Sequence, residues 1–140
     1  MTQIYCDSID VDLAEGIDIR DITTALETIA VTSGITRGVM SATVIGSTGS
    51  LTTIEYEPGV VEDLTEAIDR LAPPGLAYAH ERAWHDGNGH SHVQAALMGP
   101  SLSLPLREGR IRLGTWQQVV IINHDNRERS RRVEITIIGI

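Results

Sequence analysis

Nine consecutive residues, Trp84-His85-Asp86-Gly87-Asn88-Gly89-His90-Ser91-His92, hold three of the chain's five histidines, with a carboxylate, a carboxamide and two glycines among them. Imidazoles concentrated in this way either ligate a divalent ion or bind substrate and carry protons. His90 and His92, two apart, face one side of an extended segment, a usual arrangement for two metal ligands. If a short helix opens near Ser91, over SHVQAALMG, they meet instead at its N-terminus. His85 or Asp86 supplies a third ligand across the Gly87-Asn88-Gly89 bend, where glycine permits a tight turn. Three protein ligands with one open position is the catalytic zinc pattern, and a mixed nitrogen and oxygen set also suits magnesium and other divalent ions. Singly, each histidine reads as a solvated loop residue; together they read as a site.

Two further segments share this composition. In Gly46-Ser47-Thr48-Gly49-Ser50, backbone N–H groups and hydroxyls can converge on an anion. The segment lacks the lysine of a P-loop and opens no helix, so alone it reads as a plain hairpin turn. No cation stands beside it in sequence. In Gly114-Thr115-Trp116-Gln117-Gln118, an aromatic face stands next to two amides, which suits a pocket wall.

The elements that position these segments follow from periodicity. Ile22, Ala25, Leu26 and Ile29 lie at helical spacing, with Asp18 or Asp21 to start the helix and Gly34 to end it. Val60, Leu64, Ile68 and Leu71 form a second stripe, begun at Pro58 and stopped by Pro73-Pro74. Strand-like runs cover Ile4 to Leu13, Gly38 to Ile45, Leu51 to Tyr56, Ser101 to Leu106, Arg110 to Leu113, Gln117 to Asn123 and Arg132 to Ile140. Val119 to Ile122 is apolar on both faces and reads as a central strand. Gly109 suits a short hairpin turn. The fold class expected is α+β: one domain, residues 1–140, with a mixed, largely antiparallel sheet and two main helices packed on one face. The apolar strands exceed what two helices can cover, so association between copies is expected to hide the remainder.

A chain of 140 residues with 41% hydrophobic content is long and apolar enough for one real core. The net charge of −8 argues against nucleic acid as a partner, and the only basic cluster, Arg127 to Arg132 (RERSRR), reads as a solvated loop. All eleven basic residues are arginine. No apolar run is long enough to span a membrane, and MTQIYCDSID has no secretory pattern, so a cytoplasmic protein is expected. Cys6 is the only cysteine, which precludes an intrachain disulfide and fits a reducing compartment.

At LTTIEYEPGVVEDL, DGNGHSHVQAALMGPSLSLPL and LGTWQQVVIINHD the chain resembles the YjbQ-like proteins, small trimeric α+β proteins, some bacterial members of which act as secondary thiamine-phosphate synthases. The likeness runs from about Gly38 to the C-terminus. It implies a homotrimer acting on a small phosphorylated metabolite, coupling a pyrimidine diphosphate to a thiazole phosphate with release of pyrophosphate. Carried onto this chain, it implies Glu55 and His92 as catalytic residues. Ser47, Thr48, His80, Asn88, Thr115, Trp116 and Gln117 would contact substrate, and His85, His90 and His92 would hold a divalent ion. One departure stands out: where bacterial members have a His before Thr-Ala-Gly, this chain has Gly46 or Ser47. Two other readings of the same residues are a metal-dependent hydrolase with Glu55 as general base, and a non-catalytic trimeric binder of ligand or metal.

Overall fold

The computed structural model describes residues 1–140, and its chain order is β1 (Gln3–Leu13), β2 (Asp18–Asp21), α1 (Thr23–Ser33), β3 (Arg37–Val44), β4 (Gly49–Ile54), α2 (Pro58–Leu71), α3 (Glu81–Trp84), α4 (Gly89–Met98), β5 (Ser101–Arg107), β6 (Arg110–Ile111), β7 (Gln118–Asn123) and β8 (Arg129–Gly139). The class is α+β, as expected. The expected single sheet divides into two, a larger sheet β1-β8-β3-β5-β6 and a smaller sheet β2-β7-β4. Every neighbouring pair is antiparallel.

The division follows from the two-faced strand. Val119 and Ile121 of β7 enter the main core with Met40, Ala42, Leu104, Ile135 and Ile137 of the larger sheet, while Val120 and Ile122 enter a second cluster with Ile19 and Ile68. A strand buried on both faces needs two covers. The larger sheet and α1 supply one through Leu26, Ile29 and Ala30, and α2 supplies the other through Ile68, with Val61 and Leu64 beside it. The two main helices therefore do not share a face, contrary to expectation: α1 helps fill the space between the sheets and α2 packs outside the smaller one.

Local chemistry sets the helix ends. The Thr23 N–H donates to Asp21 Oδ1 at 2.9 Å, and Gly34 closes α1 in the left-handed conformation. Of the two expected starts the chain uses Asp21 and not Asp18; Asp18 to Asp21 is β2, because alternation places Ile19 against Val120 and Ile122. Glu57 accepts from the Gly59 and Val60 N–H groups and caps α2.

Gly38 and Gly139 face each other between β3 and β8. A Cβ on Gly38 would run into the Ile138 carbonyl oxygen, and one on Gly139 into that of Arg37. The strands meet this closely only because neither residue has a side chain. Gly38→Ala is expected to lower stability by about 1–3 kcal/mol, as overpacking does. Urea denaturation of the variant reads this directly, and an unshifted midpoint would mean the two strands part without cost.

The outer face of the larger sheet carries no helix. Ile4, Ile138 and Val39 stand in register across β1, β8 and β3 and are 70%, 50% and 47% exposed. No helix is long and apolar enough to cross a membrane.

Candidate active-site cleft

β7 ends in three buried polar residues, Asn123, His124 and Asp125, the last only 1% exposed. They meet the Gly46–Ser50 turn because β4 pairs with β7 in the register Gly49↔Asn123. The next strand, β8, brings Arg129 and Arg131 back to the same place. Together with Asp86, Asn88 and His92, these segments line a cleft of about 350 Å³.

Arg131 is the unusual member. It is 6% exposed and lies beneath the glycine turn, where a Cβ on Gly46 or Gly49 would strike its side chain. Its Nη2 donates to Asn123 Oδ1 at 2.7 Å and to the Thr48 hydroxyl, and its buried Nε has no partner. Burial pulls its pKa below the ordinary arginine value while Asp125 works in the opposite direction. Asp125 accepts from Thr48 Oγ1 at 2.8 Å and from Arg129 Nε at 3.0 Å. Burial acts to raise the Asp125 pKa, yet its hydrogen bonds from Thr48 and Asn88 and the guanidinium of Arg129 hold it below the carboxylate range. The cleft is thus a fixed carboxylate flanked by two guanidiniums and roofed by hydroxyls.

The histidine segment forms the opposite wall. Asn88 Oδ1 accepts from the Asn126 N–H, and Asn126 Nδ2 donates to the Asp86 carbonyl, so this loop is stitched to the β7–β8 connection. Glu81 accepts from the N–H groups of Gly87 and Gly89 at 2.7 and 2.9 Å, and so occupies the start of α4 with its own carboxylate. His92 lines the cleft, with the His80 ring packed on it at 4.5 Å between centroids. His80 Nε2 lies 3.5 Å from Asp86 Oδ1, an ion-pair distance too long for a good hydrogen bond. Burial would raise the Asp86 pKa, but the Asn88 N–H and the charge of His80 keep it low.

Of the expected residues, Ser47, Thr48, Asn88 and His92 share this cleft, and His80 stands behind His92. The proposed metal set does not assemble. His90 and His92 lie on α4, where two residues are separated by about 200° around the axis. His90 faces Tyr78 and Ser91 instead, and His85 is exposed in a left-handed turn after α3. No three His, Cys, Asp or Glu side chains are grouped as metal ligands. The set does not fit an ion within one chain: a helix opens there, as one of the two readings had it, but His90 and His92 do not meet at its N-terminus and His85 stands exposed ahead of it.

Glu55, Thr115, Trp116 and Gln117 lie elsewhere. Gln117 Nε2 donates to Thr53 Oγ1 at 3.0 Å and Gln117 Oε1 accepts from the Gly114 N–H, which ties this segment to the far end of β4. Ser50 and Glu55 are separated along that strand by roughly 17 Å, at ~3.4 Å per residue. Trp116 is 73% exposed.

Sequence reasoning passed over Asp125, Arg129 and Arg131. One signal was available: Arg131 is in phase with Val133, Ile135 and Ile137, so the inward stripe of β8 extends to a guanidinium. Also unforeseen is a buried chain of Ser50, His124 and Gln94. Gln94 Nε2 donates to Asp69 Oδ1 and the Ala72 carbonyl, which leaves its Oε1 to face His124 Nδ1 at 3.0 Å. His124 therefore carries its proton on Nδ1 and accepts from the Ser50 hydroxyl at Nε2, 2.7 Å away. Burial, with Arg131 and His90 nearby, lowers the His124 pKa to about 4.

The family model described as "UPF0047 protein YjbQ-like" matches residues 7–140. The chain belongs to this family. It is 34% identical over 129 residues to a UPF0047 protein of Mycobacterium tuberculosis, covering 91% of this chain and 94% of that one. Over 87 residues it is 38% identical to a UPF0047 protein of Archaeoglobus fulgidus, covering 62% and 67% of the two chains. Among solved structures it is similar to a YbjQ-like protein of unknown function from Sulfolobus solfataricus, with a TM-score of 0.95, 31% identity and full coverage of both chains. The curled antiparallel architecture of this YjbQ-like chain is that of its relatives.

Proposed function

We propose that the cleft binds the phosphate groups of a small metabolite and that this YjbQ-like protein is a transferase of the thiamine-phosphate-synthase type. The observation that carries the reading is the placement of Arg129 and Arg131 against Ser47 and Thr48: the fold supplies beside the hydroxyl turn the cations that the turn lacks in sequence. In the reaction, the bond between the pyrimidine methylene and the diphosphate oxygen breaks, the thiazole nitrogen bonds to that methylene, and pyrophosphate leaves. Negative charge grows on the departing oxygen. Preorganised guanidinium and hydroxyl donors stabilise such charge most strongly where water is scarce. His92, backed by His80 and Asp86, stands on the same cleft to donate a proton to the leaving group.

The uncovered apolar patch of Ile4, Ile138 and Val39 on the larger sheet supports a homotrimer. Trp116, Gln117, Thr115 and Glu55 of one subunit would then complete the cleft of its neighbour, which accounts for their distance from it within one chain. The test is a coupling assay with hydroxymethylpyrimidine diphosphate and thiazole phosphate. Arg129→Gln is expected to lower kcat/KM at least 100-fold, the order lost with a charge-stabilising donor. Trp116→Ala is expected to be similarly poor, and co-expression of the two variants should restore part of the activity. No coupling by the wild-type protein would refute the synthase reading, and no restoration would place the whole site in one subunit.

A further inference from the structure

Far from the cleft, at the other end of β3, three arginines stand in one row across three adjacent strands. Arg37 of β3 is paired with Arg107 of β5, and Arg107 with Arg110 of β6. Directly opposed residues of neighbouring strands point to the same face, with Cβ atoms about 5 Å apart, and like charges there are destabilising. Alternation puts Arg37 and Arg107 on the outer face, since Leu106 beside Arg107 is buried in the core, while Arg110 on the edge strand lines a separate hollow along α1 with Glu27 and Val31. Arg112, two residues beyond Arg110, lies with Arg37 and Arg107, its N–H donating to the Pro105 carbonyl.

Four of the eleven arginines of an acidic chain thus occupy one corner. None of the four pairs with a carboxylate, whereas Arg20, Arg129, Arg131 and Arg132 all do. Arg37, Arg107 and Arg112 line a depression of about 770 Å³ with Thr36, Pro105 and Glu108, the last being its only carboxylate. The turn that aligns Arg107 with Arg110 is a two-residue hairpin of the I′ kind, with both Glu108 and Gly109 at positive φ (53° and 74°). For Glu108 this conformation carries a steric cost, and the twist it gives keeps the two arginines opposed.

We infer that this arginine corner is a second anion site, for a chain of linked phosphates such as the di- or triphosphate end of a metabolite. Repulsion within the row is relieved when a multiply charged anion bridges it. Guanidinium forks spaced at about one strand separation match successive phosphate groups better than a single carboxylate. No aromatic side chain lines the depression, so the phosphates rather than a base would be recognised. Val44 is seven residues on from Arg37 along β3, about 24 Å at ~3.4 Å per residue, so the corner is not part of the cleft.

The test is calorimetric titration of inorganic triphosphate into three proteins at low ionic strength: wild type, Arg107→Gln/Arg112→Gln, and the cleft variant Arg129→Gln. Binding to the wild type that weakens at least tenfold in the double variant, persists in Arg129→Gln and declines steeply with salt supports the corner site. Equal affinity of the double variant and the wild type, or a loss confined to Arg129→Gln, overturns it. Thermal melting without ligand gives a second readout. The double variant is expected to melt higher than the wild type because the unrelieved repulsion is gone; a lower melting temperature would show that the row is structural.

Discussion

Asp125→Ala is expected to be the most damaging single substitution outside the hydrophobic core. It removes a buried carboxylate that accepts from Thr48, Arg127 and Arg129 and offsets the charge of the buried Arg131. Taking one partner from a buried charge pair leaves the other uncompensated, at a cost of about 3–5 kcal/mol. The loss falls on the connection that carries Asn126, so the histidine loop stitched to it through Asn88 and Asp86 should lose its place as well. Urea denaturation and pyrophosphate binding should therefore fail together. Asp125→Asn, which keeps the shape and removes the charge, should lie between. A loss below 1 kcal/mol in Asp125→Ala would mean that Arg131 is balanced by solvent, and the account of the cleft as a fixed charge array would fall.

The second large effect is acid lability through His124. Its folded pKa of about 4 lies below the ordinary 6.5, so the unfolded chain takes up a proton more readily than the folded one. Stability from this group is complete above about pH 6.5, declines as pH falls and is fully lost near pH 4. At ~1.4 kcal/mol per pH unit the decline amounts to about 3 kcal/mol. The structural cause is that Nε2, the position that would take the proton, already accepts from Ser50 inside the core. Replacing His124 by Gln retains an amide between Ser50 and Gln94 and cannot titrate, so stability between pH 7 and pH 4 should fall by that much less. Parallel pH profiles for the two proteins would show that the acid sensitivity comes from elsewhere.

Periodicity located α1, α2 and nearly every strand, because each buries a stripe that its own residues announce. The both-faces-apolar run Val119 to Ile122 already required two covers, although which element would supply each was a question of tertiary packing. The site was harder to read. Ser47, Thr48, Asn88 and His92 were marked by their local composition, and all four reach the cleft. Arg131 was hidden because RERSRR has the composition of a solvated loop, and only its phase with Val133 distinguishes it. The histidine triad misled for a related reason. The short helix over SHVQAALMG was one of the two readings, but composition could not show that His90 and His92 diverge around its axis, nor that Glu81, remote in sequence, already occupies its start.

The two-sided burial of β7 also shapes how this protein can change. Its amides are enclosed by pairing on both edges and packing on both faces, so they should exchange with solvent only in global unfolding. Asn123, His124 and Asp125 continue directly from that strand and share its rigidity. The floor of the cleft is then the slowest-opening part of the molecule, while in the opposite wall the loop of Asp86 to Asn88 hangs on a few side-chain bonds through Asn88 and Asn126. Divergence in substrate among such proteins should accumulate in that wall, where a new residue alters the ligand without opening the core, and spare the floor.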